Sequence, residues 1–156
     1  MEQVNLSEVF SKDTVIFDHK PFADKEEVFN FLTSKFYDAG IVTDKEAYKN
    51  ALYYREGIGS TYMGNLIALP HGKCDEVIKP GIALCRCTKP FIYKSCGEVG
   101  EVKYIFMLAI AGTQTGDQYI RVLATLAGLL AHDEFIDDLE QCKDYGELLE
   151  LIKKYN

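Results

Sequence analysis

The chain has three histidines in 156 residues, and one of them stands where a side chain leaves a sheet. In "NLIALPHGK", residues 65–73, the apolar run Leu66–Leu69 reads as a buried strand. Pro70 has no N–H for a ladder and marks the strand's end. His71 then emerges at the strand's edge, on a turn released by Gly72. Metal binding needs several ligands at defined spacing, and only Cys74 lies close to this histidine in sequence. A hydrolytic triad needs a nucleophile for the histidine to activate, and no G-x-S-x-G occurs. The remaining chemistry is histidine as the nucleophile itself. A neutral imidazole nitrogen accepts a phosphoryl group and later releases it, because the P–N bond is labile. The plainer alternative is a core or turn histidine bonded to a backbone carbonyl.

A phosphoryl site needs positive charge and donors around the transferring oxygens. Arg55, at the end of "KEAYKNALYYRE", is the candidate, since its planar fork can hold a phosphate in a bidentate manner. A surface pair with Glu56, or a plain helix C-terminal charge, would account for it equally simply. Between the two lies "GIGSTYMGN", with Gly57, Gly59 and Gly64 and the hydroxyls of Ser60 and Thr61. It reads as a flexible, donor-rich loop able to close over a phosphate.

These side chains must be held by elements that the patterning predicts. Asp24 followed by Glu27 is a capping box. Val28, Phe31, Leu32 and Phe36 then recur at helical spacing, with Gly40 as the stop. Asp44 caps a second helix with Ala47, Tyr48, Ala51 and Leu52 as its stripe. Leu66–Leu69, Ile82–Cys87 and Val102–Ile110 read as strands, the last apolar at nearly every position and so central and buried on both faces. The loop "AGTQTGD" follows, and Asp117 is expected to cap a long helix. Two amphipathic segments, around Phe135–Leu139 and Leu148–Ile152, close the chain. Strands interleaved with helices imply one α/β domain over residues 1–156, with helices on both faces of the sheet and ligand chemistry at the strands' carboxyl ends.

Composition bounds the task. Hydrophobic residues make up 47% and charged residues 26%, as in ordinary globular domains, and the formal net charge is −7. An acidic chain is a poor nucleic-acid or anionic-membrane binder and suits a small basic partner surface. No apolar run approaches the roughly 18 residues that span a bilayer. The N-terminus "MEQVNLSEVF" lacks the basic-then-apolar order of a leader. Five cysteines, an odd number with no C-x-x-C, read as reduced thiols of a cytoplasmic protein, not as disulfides or metal ligands. Cys85 and Cys87 alternate along a strand and should share a face.

The span "REGIGSTYMGNLIALPHGK" resembles the signature of the mannitol/fructose-type (type-2) enzyme IIA domains of the bacterial phosphoenolpyruvate-dependent sugar phosphotransferase system (PTS). An Arg-Glu pair ends a helix, a polar loop follows, and a small apolar strand ends in Pro-His. With the strand after Pro80, the apolar strand before "AGTQTGD", the next helix and the closing "ELLELI", the resemblance extends over roughly residues 5 to 155. It implies a mixed, mostly parallel sheet with helices on both faces. It further implies that His71 is phosphorylated on Nε2, with Nδ1 oriented by a local acceptor, and that Arg55 assists at the phosphate. The donor would be the phosphocarrier HPr. The acceptor would be a cysteine of a cognate enzyme IIB, coupled to a membrane IIC, with no cofactor or metal. Many members carry a second histidine at the start of the helix after the last strand. Here Tyr119 stands in that place, where it either donates a hydrogen bond to a phosphoryl oxygen or simply packs on the helix face. His19 and His132 are poor substitutes. Two other readings remain: a free-standing regulatory protein of the nitrogen-related type, and a binding protein in which His71 is never phosphorylated.

Overall fold

The computed structural model describes residues 4–156. Residues 1–3, part of the stretch examined for a leader, lie outside the described residues. After a 3-10 turn at Leu6–Glu8, strand β1 runs Phe10–His19, and helices α1 (Lys25–Asp38) and α2 (Lys45–Glu56) follow. Short strands β2 (Tyr62–Gly64), β3 (Ile67–Ala68) and β4 (His71–Cys74) lead into a long hairpin, β5 (Gly81–Ser95) and β6 (Glu98–Ala111). Helices α3 (Gly116–Leu130), α4 (Asp133–Gln141) and α5 (Tyr145–Tyr155) complete the chain.

The strands form one mixed sheet in the order β1-β5-β6-β3-β2, with β4 also paired to β6. The β1–β5, β3–β6 and β4–β6 pairings are parallel, while β2–β3 and the long β5–β6 hairpin are antiparallel. Strand β6 is central, as its apolar run predicts. Alternation along the inner part of the hairpin, short of the register shift beyond Arg86, divides the interior in two. Ala83, Cys85, Cys87, Ile105 and Met107 face a core built with Val28, Phe29, Leu32, Tyr48 and Leu52 from α1 and α2. Ile82, Leu84, Phe106, Leu108 and Ile110 face a second core with Leu126, Leu130, Phe135, Leu139, Leu148 and Ile152 from α3 to α5. Each face of the sheet thus has its own helical layer.

Helix starts follow the sequence signals closely. The Asp24 and Asp44 side chains accept from the backbone N–H of Glu27 and Ala47. The cap of α3 is not Asp117, however. Thr115 holds that place in a reciprocal capping box with Gln118, and Asp117 sits in the first turn. Two strand readings also change. Phe10–His19 is a strand that patterning did not indicate, because only Phe10 and Thr14 on it are fully buried. The strand read as Leu66–Leu69 spans only Ile67–Ala68, and His71 does not sit on a turn but opens β4.

Candidate active site

Strands β3 and β4 both run parallel to β6, so they are one strand path broken at Leu69 and Pro70. The break is chemically useful. Pro70 has no N–H to offer, and its carbonyl still accepts from the Leu108 N–H at 3.0 Å. The Leu69 carbonyl, off the ladder, lies 3.0 Å from His71 Nδ1. A carbonyl can only accept, so Nδ1 carries the proton and donates. That leaves Nε2 with its lone pair, as a nucleophile requires. His71 is 8% exposed. Burial first, then the Arg55 charge, holds its pKa below the usual 6.5, against the raising effect of the Leu69 carbonyl. The imidazole is therefore neutral at neutral pH.

Arg55 reaches this nitrogen directly. Its Nε donates to His71 Nε2 at 3.1 Å, and its Nη1 donates to the Gly59 carbonyl at 2.8 Å. Neither a surface pair with Glu56 nor a plain helix-end charge describes it. Glu56 points the other way and is 5% exposed. Its carboxylate accepts from Lys25 Nζ at 3.0 Å, Ser95 Oγ at 2.6 Å and Thr61 Oγ1 at 2.5 Å. Since the Thr61 hydroxyl proton goes to Glu56, the Tyr93 hydroxyl, 2.7 Å away, donates to Thr61. The Thr61 N–H in turn donates to Ser95 Oγ at 2.8 Å. This buried network pins both ends of the Gly57–Thr61 loop. The loop is thus not the free donor-rich flap that its composition suggests. Thr61 is spent on Glu56, whereas Ser60 Oγ accepts from the Tyr62 N–H and keeps its own proton to donate.

What brings α2 so close to β4 is Gly72. A Cβ there would lie 3.1 Å from the Leu52 nitrogen and 3.2 Å from Ala51 Cβ. Only a residue without a side chain lets the helix pack on the strand at this distance, and Arg55 lies one turn beyond Ala51 and Leu52. Tyr48 fixes the same contact, its hydroxyl donating to the Leu108 carbonyl at 2.6 Å.

His71 and Arg55 open into a cleft of about 600 Å³ whose lining includes Tyr54, Lys73, Cys74 and Tyr119. Tyr119, on the first turns of α3, is half-buried against the second core and also borders this cleft. Lys73 was missed in the sequence. Its ammonium lies 5.7 Å from the centre of the Tyr119 ring and donates to the Gln114 carbonyl at 2.7 Å. It follows His71 by two on a strand, so the two side chains leave β4 on the same side. Had residues 71–74 been read as a strand, that spacing would have found it. The cleft therefore holds an oriented neutral imidazole, a guanidinium on its free nitrogen, and an ammonium and a phenol at its border. This is a set suited to receiving a dianionic group on Nε2. His19 and His132 lie outside the cleft lining.

A mixed-sheet domain with a neutral, oriented histidine set against an arginine fits one family in particular. Residues 8–155 match the family described as "Phosphoenolpyruvate-dependent sugar phosphotransferase system, EIIA 2", and the chain belongs to it. It is 32% identical over 133 residues to the PTS system mannitol-specific EIICBA component of Vibrio cholerae, a match covering 83% of this chain and 19% of that protein. It is 29% identical over 139 residues to the PTS system fructose-specific EIIA component of Haloferax volcanii, covering 89% of this chain and 88% of the relative. The crystal structure of IIA mannitol from Escherichia coli superimposes with a TM-score of 0.73 at 26% identity, over 91% of this chain and 97% of that one. The chain thus spans about a fifth of the first relative and most of the second. Among the described residues no helix is long and apolar enough to cross a membrane.

Proposed function

We propose that this chain is a cytoplasmic phosphohistidine carrier. It takes a phosphoryl group from phospho-HPr on His71 Nε2 and delivers it to a cysteine of a cognate enzyme IIB during PTS sugar uptake. The observation that carries this reading is the pair of contacts on one imidazole: Nδ1–H held by the Leu69 carbonyl and Nε2 facing Arg55. In the first transfer the donor's P–N bond breaks as the Nε2 lone pair bonds to phosphorus. In the second, a thiolate attacks phosphorus and the electron pair returns to Nε2. The proton stays on Nδ1, donated to the Leu69 carbonyl throughout, so neither step needs a general base.

Arg55 has to turn from Nε2 to the phosphoryl oxygens as the group arrives. Its Nη1 tether to Gly59 keeps it at the cleft mouth during that turn. Tyr119 supplies a neutral donor where many family members have a histidine, and Lys73 supplies the cationic charge that a tyrosine lacks. On this reading Tyr119→Phe slows transfer modestly, and Lys73→Ala slows it further. The sugar is read by the membrane partner. The names of the matched relatives, mannitol- and fructose-specific, favour a sugar or polyol of that group.

The test is incubation with enzyme I, HPr and phosphoenolpyruvate, followed by intact mass. One added phosphoryl group, acid-labile and alkali-stable, present in wild type and absent in His71→Gln, is the expected result. An unmodified wild type beside an active control IIA would overturn the carrier reading.

A further inference from the structure

Away from the cleft, at the edge of the sheet, three soft-metal ligands meet. Cys85 and Cys87 lie on one face of β5, both fully buried. The sequence alone gives them no partner. The structure brings His19, from the end of β1, to them: a ring nitrogen of His19 and the two sulfurs all lie within 4.8 Å of one another.

The register of β1 against β5 explains how. Ile16 pairs with Cys85, so a regular parallel ladder would place Asp18 opposite Cys87. Instead His19 pairs with Cys87, across a bulge. Asp18 takes the left-handed conformation at φ 57° and turns its carboxylate to Arg86, which donates to it at 3.2 Å. The bulge thus advances a histidine into the position that faces the thiols. The ring is also fixed by its neighbours. Its Nδ1 lies 2.6 Å from the Lys20 carbonyl, to which it donates, leaving Nε2 as the nitrogen with a free lone pair. Phe22 stacks on the ring at 4.4 Å and Phe31 packs against it at 4.5 Å. A backbone carbonyl on one imidazole nitrogen is the arrangement that orients the other towards a metal.

A disulfide between the two cysteines does not suit this geometry. Positions i and i+2 of a strand hold their Cβ atoms about 6.7 Å apart, whereas a disulfide needs about 3.8 Å. An ion with two metal–sulfur bonds of about 2.3 Å spans sulfurs about 3.8 Å apart, which small side-chain rotations reach from the observed positions. We infer that Cys85, Cys87 and His19 form a binding site for a thiophilic divalent cation of the Zn²⁺ type, clamping edge strand β1 to β5. Two thiolates and one imidazole leave a site neutral with a divalent ion, which favours it in this apolar setting. His19 is half-buried, so solvent can enter and a water can complete a tetrahedron.

The test uses the reduced, chelator-stripped full chain in a Cys96→Ser background, which removes the exposed thiol. Co²⁺ is titrated in and the absorption followed, then Zn²⁺ is added to displace it. The expected result is one equivalent bound, with sulfur-to-cobalt charge transfer and the intense ligand-field bands of a tetrahedral ion. His19→Asn and Cys87→Ser should each weaken binding at least tenfold or so, since even supporting partners of metal ligands cost about 10–100-fold. Zn²⁺ should also raise the melting temperature of wild type and not of His19→Asn. His19 is not a core side chain, so that variant should fold even if Cys87→Ser does not. A folded wild type without thiolate-to-cobalt absorption at one equivalent, or an affinity unchanged in His19→Asn, would overturn the site.

Discussion

Removing Arg55 tests the site most directly. In Arg55→Ala the transferring phosphoryl group loses its guanidinium donor, a loss of about 2.7–4 kcal/mol by analogy with single oxyanion donors. Part of this is offset. In the resting site the same side chain donates to His71 Nε2 at 3.1 Å, and releasing that bond frees the nucleophile by about 1–1.5 kcal/mol. The difference, about 1.2–3 kcal/mol, corresponds to a fall of roughly tenfold to a hundredfold in the rate of phosphorylation. The variant also has a second, independent signature. Arg55 lowers the His71 pKa by its charge, so its removal should move that pKa back up towards 6.5. Arg55→Lys keeps a charge but loses the fork and the Gly59 tether, and should fall between wild type and alanine. Rapid-quench phosphorylation by phospho-HPr reads the rate, and NMR titration of the His71 ring protons reads the pKa. A rate within about threefold of wild type, together with an unmoved His71 titration, would refute the role given to Arg55.

Three further expectations follow from the packing and the charges. Gly72→Ala puts a methyl 3.1 Å from the Leu52 backbone nitrogen, so α2 must move by a few tenths of an ångström. A loss of about 1–3 kcal/mol, measured by urea unfolding, should accompany slower phosphorylation, because Arg55 moves with the helix. Glu56→Ala removes the acceptor shared by Lys25, Thr61 and Ser95 and should destabilise by about 3–5 kcal/mol; a midpoint equal to wild type would show that the network does not hold the loop. For His71 the folded state keeps the ring neutral where the unfolded chain protonates it. The unfolded state therefore binds more protons in the window just below 6.5, and stability falls as pH drops through it. Comparing urea midpoints of wild type and His71→Gln between about pH 5 and 7 should show this slope in wild type alone.

The sequence showed the site better than its surroundings. Pro70 and Arg55 could be read because each acts through a local property, a missing N–H and a helix end. The Asp24 and Asp44 caps were legible for the same reason. In sequence Glu56 offers itself only as an alternative partner for Arg55; its true partners, Lys25 and Ser95, are far along the chain, and only folding brings them together. The same holds for His19. Its approach to Cys85 and Cys87 depends on a one-residue bulge in β1, and β1 itself has too few buried positions to declare a strand. Lys73 gives no signal of this kind, because Pro70 reads in sequence as a strand end and only the fold shows that it interrupts the strand path without closing it. Asp117 reads as the cap from its type alone; Thr115, two positions earlier, holds the place because its hydroxyl and the Gln118 side chain bond reciprocally, a contact visible only in the fold.

The doubly engaged Arg55 has a thermodynamic consequence for a carrier. A relay works best when its empty and loaded forms differ little in free energy, since a deep minimum at either would stall one of the two transfers. Here one guanidinium satisfies the bare nitrogen, and on the proposed pathway the same guanidinium satisfies the phosphoryl group that replaces it. What stabilises one form is withdrawn from it as it stabilises the other. The side chain thus acts as a leveller, holding the two states close in energy while the group passes through.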